Sequence, residues 1–499
     1  MRRRPVAISG RADEAATFKK HRCRKKSQLG QFFTPATTAA FMASLFPPGK
    51  GHCRLLDAGA GIGSLSAAFL DRWRSGGLGF SRIELDAFEL DRTLIPHLSR
   101  TLTKYGCDGD LVVNIREEDF IHAATDSLRG SLFSPVLESY THAILNPPYK
   151  KTHNDSAHRL ALRKAGIETA NLYSAFVALS VALTAPRGQI VAIIPRSFCN
   201  GPYYRPFRRF VLERTAIRHI HLFESRNKAF KDDDVLQENL IVRLERNGIQ
   251  GPVAVSISTD DTFADLTTHE HPFERILLPD DLERFIRIPT SPEEDAIERS
   301  PAIRHTLADL GIRVSTGPVV DFRVKAHLRK TPEPGTVPLL YPAHFVGRST
   351  MWPIENLKKP NAIEHNGETE RWLYPNGFYC VARRFSSKEE KRRIIASVVD
   401  PSAFGNVPAL GFENHLNVFH EDKHGLPEAL ARGLAVFLNT TAVDEHFRRF
   451  NGHTQVNATD LRLMRYPSRA ALTRLGRWAR EQEHLTQTMI DAELATLIA

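Results

Sequence analysis

Cysteine is scarce in this chain. Five cysteines occur among 499 residues, and they are far apart, at Cys23, Cys53, Cys107, Cys199 and Cys380. No two of them have the CxxC spacing that is typical of zinc and redox sites, and such a scattered set gives no disulfide framework. Free, dispersed cysteines are typical of proteins in a reducing compartment. The sequence therefore predicts no structural metal, no disulfide and a cytoplasmic location.

Long apolar runs are also lacking. No stretch approaches the roughly 18 apolar residues of a membrane-spanning helix, and the first residues lack the apolar core of a signal peptide. Internal repeats and long low-complexity segments are absent as well. We therefore expect an intracellular globular protein with no membrane partner, long enough for two to four domains.

The chain carries an excess of positive charge. Its formal net charge is +10, and the densest basic run is "KKHRCRKK" at residues 19–26. A basic excess of this size favours a polyanionic partner without proving one. The run near the start is either a solvated tail or an arm that contacts phosphates.

Strand-like and helix-like patterns alternate through the first 250 residues. Short apolar runs such as "CRLLDAG", "RIELDAF" and "GQIVAIIP" alternate with helical segments such as "SLSAAFLDRW" and "NLYSAFVALSVALT", the last of which we expect to be amphipathic. This alternation predicts an α/β fold with a doubly wound, mostly parallel, Rossmann-like sheet. Ligands of such sheets bind at the carboxyl ends of the strands.

The alternation fades after about residue 250. The segment "IPTSPEEDAIERS" at residues 288–300 is polar, acidic and interrupted by proline, which is typical of a linker. We therefore expect a first domain at residues 1–290, which begins with the basic arm, and a second domain at residues 291–499 of mixed α+β structure.

A glycine-rich turn follows the first predicted strand, in "LLDAGAGIGSL". Gly59, Gly61 and Gly63 allow a ligand to approach the backbone at the start of the next helix. A nicotinamide or flavin site is one interpretation, but the glycine spacing departs from the dinucleotide pattern. Asp57 at the start of the turn is unfavourable beside a pyrophosphate and favours a cationic ligand such as S-adenosylmethionine.

Acidic residues also follow the next two predicted strands. Glu89 is placed to accept hydrogen bonds from ribose hydroxyls, and Asp119 with Phe120 is placed to bind and stack on an adenine. Each acid taken alone is more often a helix cap or an exposed loop residue. Acids at three successive strand ends form a stronger pattern for an adenosine-containing ligand.

The motif "NPPY" ends a further predicted strand. Pro147 and Pro148 lack backbone N–H groups and have a fixed φ, so the chain there is stiff and rich in acceptors. The Asn146 amide oxygen, the Pro147 carbonyl oxygen and the Tyr149 ring suit a planar group that carries an NH₂, such as the exocyclic amine of a base. A simple turn, with Tyr149 covering a core, is the alternative.

Several motifs together resemble a known family. In this order, "GQFFTP" (residues 30–35), "DAGAGIGSL", "EEDF", "NPPY", "NLYSAF" and "KAFKDDDVLQENLIV" resemble a DNA adenine-N6 methyltransferase of the gamma motif order. "GFENHLNVFH" and "NGHTQVNATDLRLMRYP" (residues 451–467) resemble the recognition domains of Eco57I-like and PstI/BsuBI-like modification enzymes. The resemblance covers residues 26–242 well and the C-terminal half in patches.

The resemblance implies a role for the residues of each motif. The Thr34–Pro35 segment would close over the methionine end of S-adenosylmethionine. The expected cofactor-binding set is Thr34, Pro35, Asp57, Gly59, Gly61, Gly63, Glu89, Asp119 and Phe120. No metal is expected.

The catalytic set follows from the same resemblance. Asn146 and Pro147 would accept the hydrogens of the target N6-amino group, and Tyr149 would stack on the flipped base. Phe230, just before the strand-like "VLQENLIV", fits the second stacking aromatic. Phe223 competes for that position, and an ordinary core phenylalanine is the alternative for Phe230.

The implied activity is site-specific methylation of adenine N6 in double-stranded DNA by base flipping. The enzyme would be the modification half of a restriction-modification system, monomeric, with a separate restriction endonuclease as its possible counterpart. Arg448, Arg449 and Asn451 flank the C-terminal motif and are candidate DNA contacts, with a solvated helix end as the equal alternative.

Other interpretations stay open at this point. "NPPY" also occurs in methyltransferases that act on RNA or on a protein amide, and a DNA specificity module with an inactive methylase fold is a third possibility. The "GQFFTP" segment and the intact motifs favour the DNA enzyme. "HEHPFE" (residues 269–274) is expected to be a loop, not a metal site, and the Glu-x-Lys triplets at residues 389–391 and 421–423 are expected to be chance matches to a nuclease motif.

Overall fold

The computed structural model describes residues 34–106, 109–130, 137, 139–224, 238–279, 281–346, 349–386, 390–451 and 455–498. The basic arm, residues 30–33 of "GQFFTP" and Phe230 lie outside these ranges. The chain divides into two compact units, one up to Thr290 and one from Ser291. Within the described ranges, no helix is long and apolar enough to cross a membrane.

The strands described in the first unit form one sheet, in the order β3-β2-β1-β4-β5-β7-β6-β8-β9. Their bounds are β1 Lys50–Ala58, β2 Gly79–Phe88, β3 Leu111–Arg116, β4 Tyr140–Leu145, β5 Thr184–Pro195, β6 Thr215–Phe223, β7 Asn239–Arg246, β8 Val253–Ser258 and β9 Thr267–His271.

The first five strands are parallel. β1 pairs with β2 and β4, β2 pairs with β3, and β4 pairs with β5, all in parallel register, whereas β7 lies antiparallel between β5 and β6. The predicted mostly parallel sheet is confirmed. Because the chain runs outward from β1 to β3 and then returns to β4, the strand order reverses between β1 and β4, which is where doubly wound sheets bind ligands.

Helices of the first unit alternate with these strands. Their bounds are α1 Ala36–Ser44, α2 Ser64–Arg74, α3 Ile95–Thr103, α4 Phe120–Leu128, α5 Ala157–Lys164, α6 Leu172–Leu183, α7 Arg205–Arg214 and α8 Phe273–Ile276. The prediction that α6 is amphipathic is wrong. Tyr173, Val177 and Val181 are buried, but so are Ser174 and Ser180, because this apolar helix is enclosed on nearly all sides.

Both faces of the sheet carry an apolar core. In β1, Leu56 packs into one core and its neighbour Leu55 into the other, and β4 divides Leu145 and Ile144 in the same way. Successive strand residues point to opposite faces, so a run of consecutive apolar residues predicts a sheet that is covered on both sides.

The sheet extends further than the sequence pattern indicates. β8 pairs in parallel with β6, and β9 pairs antiparallel with β8 at the edge. The prediction of a loop at "HEHPFE" is therefore wrong: residues 269–271 belong to β9, and the short helix α8 begins at Phe273. Cross-strand pairing with β8 holds this polar segment extended although it lacks an apolar period.

The second unit is mixed α+β. Its sheets have the orders β11-β21-β18-β19, β12-β16-β13-β20-β17, β10-β22 and β14-β15. The strand bounds are β10 Ile303–His305, β11 Arg313–Thr316, β12 Leu328–Arg329, β13 Thr336–Leu340, β14 Phe345–Val346, β15 Ser349–Thr350, β16 Ala362–Glu364, β17 Leu373–Pro375, β18 Tyr379–Arg383, β19 Ala396–Val399, β20 Ala409–Phe412, β21 Leu416–His420 and β22 Tyr466–Pro467.

The helices of the second unit lie mostly near its C-terminal end. They are α9 Ala296–Arg299, α10 Glu428–Leu438, α11 Thr441–Phe450, α12 Ala458–Leu463, α13 Arg469–Glu481 and α14 Gln487–Ile498. The predicted linker thus contains the short helix α9. Helices α10 and α13 approach unusually closely: a Cβ on Gly433 would lie 1.8 Å from the Leu472 carbonyl oxygen, and one on Gly476 would lie 1.7 Å from that of Ala429.

Candidate active site

The glycine-rich turn connects β1 to α2. Gly59, Gly61 and Gly63 all have positive φ, at 83°, 59° and 85°. A Cβ on Gly63 would also lie 2.9 Å from the Leu98 Cδ1 atom. The tight turn therefore requires glycine, and it leaves the N-terminus of α2 facing the carboxyl edge of the sheet.

Glu89 lies directly after β2 and is 4% exposed. Its Oε2 accepts a hydrogen bond from the Gly61 N–H at 2.8 Å, and its Oε1 accepts one from the Asp91 N–H at 2.7 Å. Burial raises the pKa of Glu89, and these hydrogen bonds oppose the rise. Each carboxylate oxygen can accept a further hydrogen bond, so Glu89 joins the glycine turn and still has capacity for a ligand.

A cavity of about 630 Å³ opens at this edge of the sheet. Its walls come from the glycine turn, from the ends of β2, β3 and β4, and from α6. They include Thr34, Gly59, Gly61, Phe88, Glu89, Asp119, Phe120, Asn146, Pro148, Lys150, Lys151, His158 and Phe176. The volume lies within the usual range for cofactor sites. The structure thus brings together most of the residues predicted to bind a nucleoside cofactor.

Asp57 differs from the prediction. Its side chain is completely buried and does not line the cavity. The Ser66 hydroxyl donates to Asp57 Oδ2 at 2.5 Å, and Oδ1 has no hydrogen-bond partner among the described atoms. Desolvation by burial raises the pKa of Asp57 to about 7, although the Ser66 hydrogen bonds oppose it. Direct contact with a ligand in this cavity is therefore not available to Asp57.

Asp119 combines a structural role with a place in the cavity wall. Its Oδ1 accepts hydrogen bonds from the Ile121 and His122 N–H groups at 2.9 and 3.2 Å, which caps α4. Its Oδ2 accepts one from His158 Nε2 at 2.8 Å. Burial alone would raise the pKa of Asp119, but the His158 hydrogen bond and the nearby histidines lower it. The same hydrogen bond raises the pKa of His158.

Phe120 begins α4 and does not continue β3, which ends at Arg116. It is 3% exposed and lies edge-on to Phe88, with ring centroids 5.2 Å apart. Asp119 and Phe120 therefore follow the strand, as predicted, and the Asp119 cap starts a helix at Phe120. Phe120 still contributes a face to the cavity wall.

The "NPPY" motif follows β4 and lies beside Thr34. Asn146 Nδ2 donates to Thr34 Oγ1 at 3.0 Å, and the Tyr149 hydroxyl lies 3.1 Å from Asn146 Oδ1 and 3.2 Å from the Ile193 carbonyl oxygen. The Asn146 amide is therefore oriented at both ends. Pro35, next to Thr34, occupies the N-cap position of α1, and its carbonyl accepts from the Ala39 N–H at 2.9 Å.

Tyr149 is held against the apolar core. Its ring lies edge-on to Tyr173, with centroids 6.2 Å apart, and burial raises its pKa far above the usual value for tyrosine. Pro147 is buried, whereas Pro148 lines the cavity. Of the four motif residues, Asn146 and Pro148 therefore line the same cavity as the glycine turn and Glu89.

Comparisons with known proteins agree with this arrangement. Residues 117–230 match the Eco57I restriction-modification methylase family. The type II methyltransferase M.BsuBI of Bacillus subtilis is 54% identical over 479 residues, which span 95% of each chain. The type II methyltransferase M.PstI of Providencia stuartii is 43% identical over 454 residues, 90% of this chain and 88% of that protein.

The chain belongs to the type II DNA methyltransferases of restriction-modification systems. Among solved structures, the type IIL restriction-modification enzyme MmeI in complex with DNA aligns with 99% of the methylase and 73% of its own chain, with 10% identity and a TM-score of 0.48.

Some cavity residues of the methylase could not be predicted from the sequence. His158, Lys150 and Lys151 follow the "NPPY" motif and line the cavity. The only local signal for His158 is the Ser156 cap of α5, whose hydroxyl accepts from the Arg159 N–H at 3.3 Å. A cap places a residue on a helix but does not show that the helix faces a cavity.

The aromatic predictions near β6 are resolved only in part. Phe230 lies outside the described residues. Phe223, its competitor, ends β6, is 3% exposed and packs edge-on to His221 at 4.6 Å. Phe223 is therefore a core residue and is not available to stack on a base.

The predicted DNA contacts at the end of α11 need correction. Asn451 is 1% exposed: its amide group donates to Gln455 O and Asp460 Oδ2, both at 2.9 Å, and accepts from Arg393 at 2.7 Å. Arg448 pairs with Asp444 at 2.7 Å, and Arg449 lies 3.4 Å from Asp295. A buried amide with these partners is not accessible to DNA, so the prediction for Asn451 is wrong, whereas DNA contact by Arg448 and Arg449 stays a prediction.

Proposed function

We propose that the methylase transfers a methyl group from S-adenosylmethionine to the N6 atom of an adenine that is flipped out of double-stranded DNA. The observation that carries the proposal is the position of Asn146. Its side-chain amide is fixed between Thr34 and Tyr149, and it lines the same cavity as Glu89. An acceptor that is fixed beside a nucleoside-sized cavity suits methylation of an amino group.

The cavity fits the proposed methyl donor. The Glu89 carboxylate would accept hydrogen bonds from the ribose hydroxyls, and Asp119 and Phe120 would contact the adenine ring. The glycine turn permits close approach of the ligand to the backbone. Thr34 and Pro35 would border the methionine end, nearest to Asn146. The donor supplies an electrophilic methyl group on a sulfonium, and no metal is required.

The protein's own task is to make the amino group nucleophilic. The N6 lone pair of adenine is delocalised into the ring. The Asn146 amide oxygen and the Pro147 carbonyl oxygen would each accept one N6 hydrogen, which holds the group out of conjugation and directs its lone pair at the methyl group. The new bond from N6 to the methyl carbon forms as the methyl–sulfur bond breaks, and S-adenosylhomocysteine leaves with the electron pair on sulfur. The excess N6 proton then passes to water, so orientation and electrostatic stabilisation replace a general base.

A flipped base must be held outside the duplex. Stacking against Tyr149, and against Phe230, would offset part of the unstacking cost of roughly a few kcal/mol. The Tyr149 hydroxyl has a second task, because it orients the Asn146 amide. This arrangement links the stacking residue to the acceptor, so a loss of the hydroxyl affects the acceptor even when the ring remains.

We also propose that the second unit reads the target sequence, that a separate restriction endonuclease shares that sequence, and that the methylase is a monomer. The second Glu-x-Lys triplet supports a separate nuclease: Glu421 pairs with Arg469 at 2.7 Å, and Lys423 Nζ donates to the Arg371 carbonyl at 3.0 Å. Both side chains are thus engaged in contacts within the second unit, which favours a chance match over a nuclease motif in this chain. Residues 19–26 would supply sequence-independent phosphate contacts.

The test is methylation of mixed-sequence plasmid DNA with tritiated S-adenosylmethionine, followed by digestion to nucleosides. We expect label in N6-methyladenine with the wild type and with the control Asn406→Ala, an exposed asparagine of the second unit. Asn146→Ala is expected to lose the label. Label in a cytosine product, in RNA or in a protein amide would contradict the proposal.

A further inference from the structure

Three distant segments of the second unit meet at one place. The Arg384 N–H donates to the His415 carbonyl at 2.8 Å, and the Val456 N–H donates to the Arg384 carbonyl at 2.7 Å. Phe385 and Gln455 form an isolated antiparallel bridge. The backbone thus fixes Arg384, Phe385, His415 and Gln455 side by side, and we call these four residues the reading surface.

His415 is fixed by a buried carboxylate. Glu413 is completely buried; its Oε2 accepts from the His415 N–H at 2.9 Å, and its Oε1 lies 2.5 Å from His415 Nδ1. Because Nδ1 faces a carboxylate oxygen, it carries a proton. The His415 side chain is 43% exposed. The ring is therefore held in one orientation, with Nε2 left for a partner outside the described chain.

Phe385 is an exposed aromatic with no place in a core. It is 39% exposed, and it belongs to none of the apolar clusters of the described residues. Its ring lies against His415, with centroids 4.9 Å apart. An exposed phenylalanine fixed beside an anchored histidine serves contact with a partner better than it serves stability.

Arg384 gives this surface a positive charge. Its guanidinium donates to the Asn414 carbonyl at 3.2 Å and to Gln455 Oε1 at 3.4 Å, and it lies 5.7 Å from the Phe385 ring centroid. Among the described residues, no carboxylate forms an ion pair with Arg384. The charge is held by neutral oxygens, so it remains available to attract a polyanion.

We propose that the reading surface contacts base edges of the target DNA and thereby determines which sequence the enzyme methylates. The proposal rests on the DNA methylation proposed above. The side chains of the reading surface suit the major groove of DNA, where arginine pairs with guanine, glutamine pairs with adenine and apolar groups contact the thymine methyl. Anchoring to a buried carboxylate and to backbone hydrogen bonds gives the rigidity that discrimination between bases requires.

The test first maps the sequence methylated by the wild type, by sequencing DNA from a plasmid library exposed to the full-length enzyme. Methylation rates are then measured on that site and on sites with one base changed. The variants are His415→Ala, His415→Gln and Phe385→Ala. The matched control is His424→Ala, an exposed histidine of the same unit whose Nδ1 contacts the Asp422 carbonyl.

We expect His415→Ala and Phe385→Ala to lower kcat/KM on the mapped site by about 10- to 100-fold and to reduce the preference over at least one altered site. Cofactor affinity should match that of His424→Ala, and so should the thermal melting of Phe385→Ala, whereas His415→Ala should melt lower because it removes a hydrogen-bond donor from the buried Glu413. If His415→Ala does not fold, His415→Gln, which keeps a donor for Glu413, provides the same comparison.

Two results would overturn the proposal that the reading surface contacts bases. One is wild-type rate and preference in the folded variants. The other is an equal loss on every sequence, which would indicate phosphate contact or support of the fold without base reading. Absence of DNA methylation by the wild type would instead overturn the proposed function, so the two failures are distinguishable.

Discussion

The side-chain nitrogen of Asn146 donates a hydrogen bond to the Thr34 hydroxyl at 3.0 Å, across 112 residues of sequence. This contact joins the end of β4 to the segment that begins α1. An asparagine amide has one donor end and one acceptor end, so a fixed partner for the donor also fixes the direction of the acceptor. Thr34 thereby orients the oxygen that we propose accepts an N6 hydrogen.

Thr34→Val removes this acceptor with little change of shape. We expect the methyl-transfer rate at saturating substrates to fall by roughly 3- to 10-fold, the equivalent of one neutral hydrogen bond. The control is Thr37→Val, at an exposed position of α1. Single-turnover experiments measure the methyl-transfer rate of both variants. Equal rates would show that Thr34 does not orient the Asn146 amide.

Glu89→Gln tests the cofactor side of the cavity. A glutamine offers one acceptor oxygen where Glu89 uses both, to Gly61 and Asp91. We expect the affinity for S-adenosylmethionine to fall by roughly 10- to 100-fold, because the lost hydrogen bonds are charge-assisted. Calorimetric titration measures the affinity. Glu117→Gln, whose side chain is 51% exposed, is the control and should bind like the wild type.

Asp57 predicts a fall of stability with rising pH. Its pKa is raised by burial from 3.8 to about 7, so the folded protein binds more protons than the unfolded chain between these values. The unfolding free energy therefore decreases as the pH rises from about 4 to about 7, and the penalty is complete above that range.

Asp57→Asn removes this titration and retains an acceptor for Ser66. We expect the advantage of the variant over the wild type, in unfolding free energy, to grow by roughly 1 to 3 kcal/mol as the pH rises from 5 to 8. Denaturant titrations at several pH values without cofactor measure it. Asp155→Asn, at an exposed position, should show no such trend. A pH-independent difference for Asp57→Asn would refute the account.

The pair of His158 and Asp119 also predicts a fall of stability with rising pH, but here the cause is the loss of a stabilising hydrogen bond to a protonated histidine. The pKa of His158 is raised by its hydrogen bond to Asp119, so its contribution to stability is complete below the unfolded pKa of histidine and is lost as the pH rises through the folded pKa. His158→Ala should therefore cost more stability at pH 5.5 than at pH 9. Thermal melting at both pH values measures the difference, with the exposed His153→Ala as the control. A larger cost at pH 9 would be inconsistent with this pair.

The sequence predicts the first unit well where periodicity is strong. Runs such as "CRLLDA" and "GQIVAIIP" are apolar on both faces, which is why the parallel strands and the position of the glycine turn could be predicted. β9 could not, because "TTHEH" is polar and is held extended by pairing with β8. The enclosure of α6 was also missed, since burial on all sides depends on neighbours that are distant in sequence.

The candidate active site also contains residues whose positions could be predicted from the sequence and residues whose positions could not. Glu89, Asp119 and Asn146 follow strands whose carboxyl ends meet, so their proximity follows from the fold. Asp57 is buried within the central strand β1, where Ser66 of α2 donates a hydrogen bond to it, and no spacing rule shows this contact. Asn451 was misjudged because a buried amide network with Arg393 and Asp460 has the same composition as a polar surface.

The most direct test of the account is a single-turnover measurement of methyl transfer to adenine N6, at saturating DNA and S-adenosylmethionine, with Asn146→Ala and Asn146→Asp beside the wild type. We expect a loss of roughly 100-fold or more for Asn146→Ala, with the cofactor affinity unchanged, since an oriented acceptor is removed. Asn146→Asp, which keeps an acceptor, should lie between the two. A wild-type rate of methyl transfer by Asn146→Ala would show that Asn146 is not the acceptor for an N6 hydrogen.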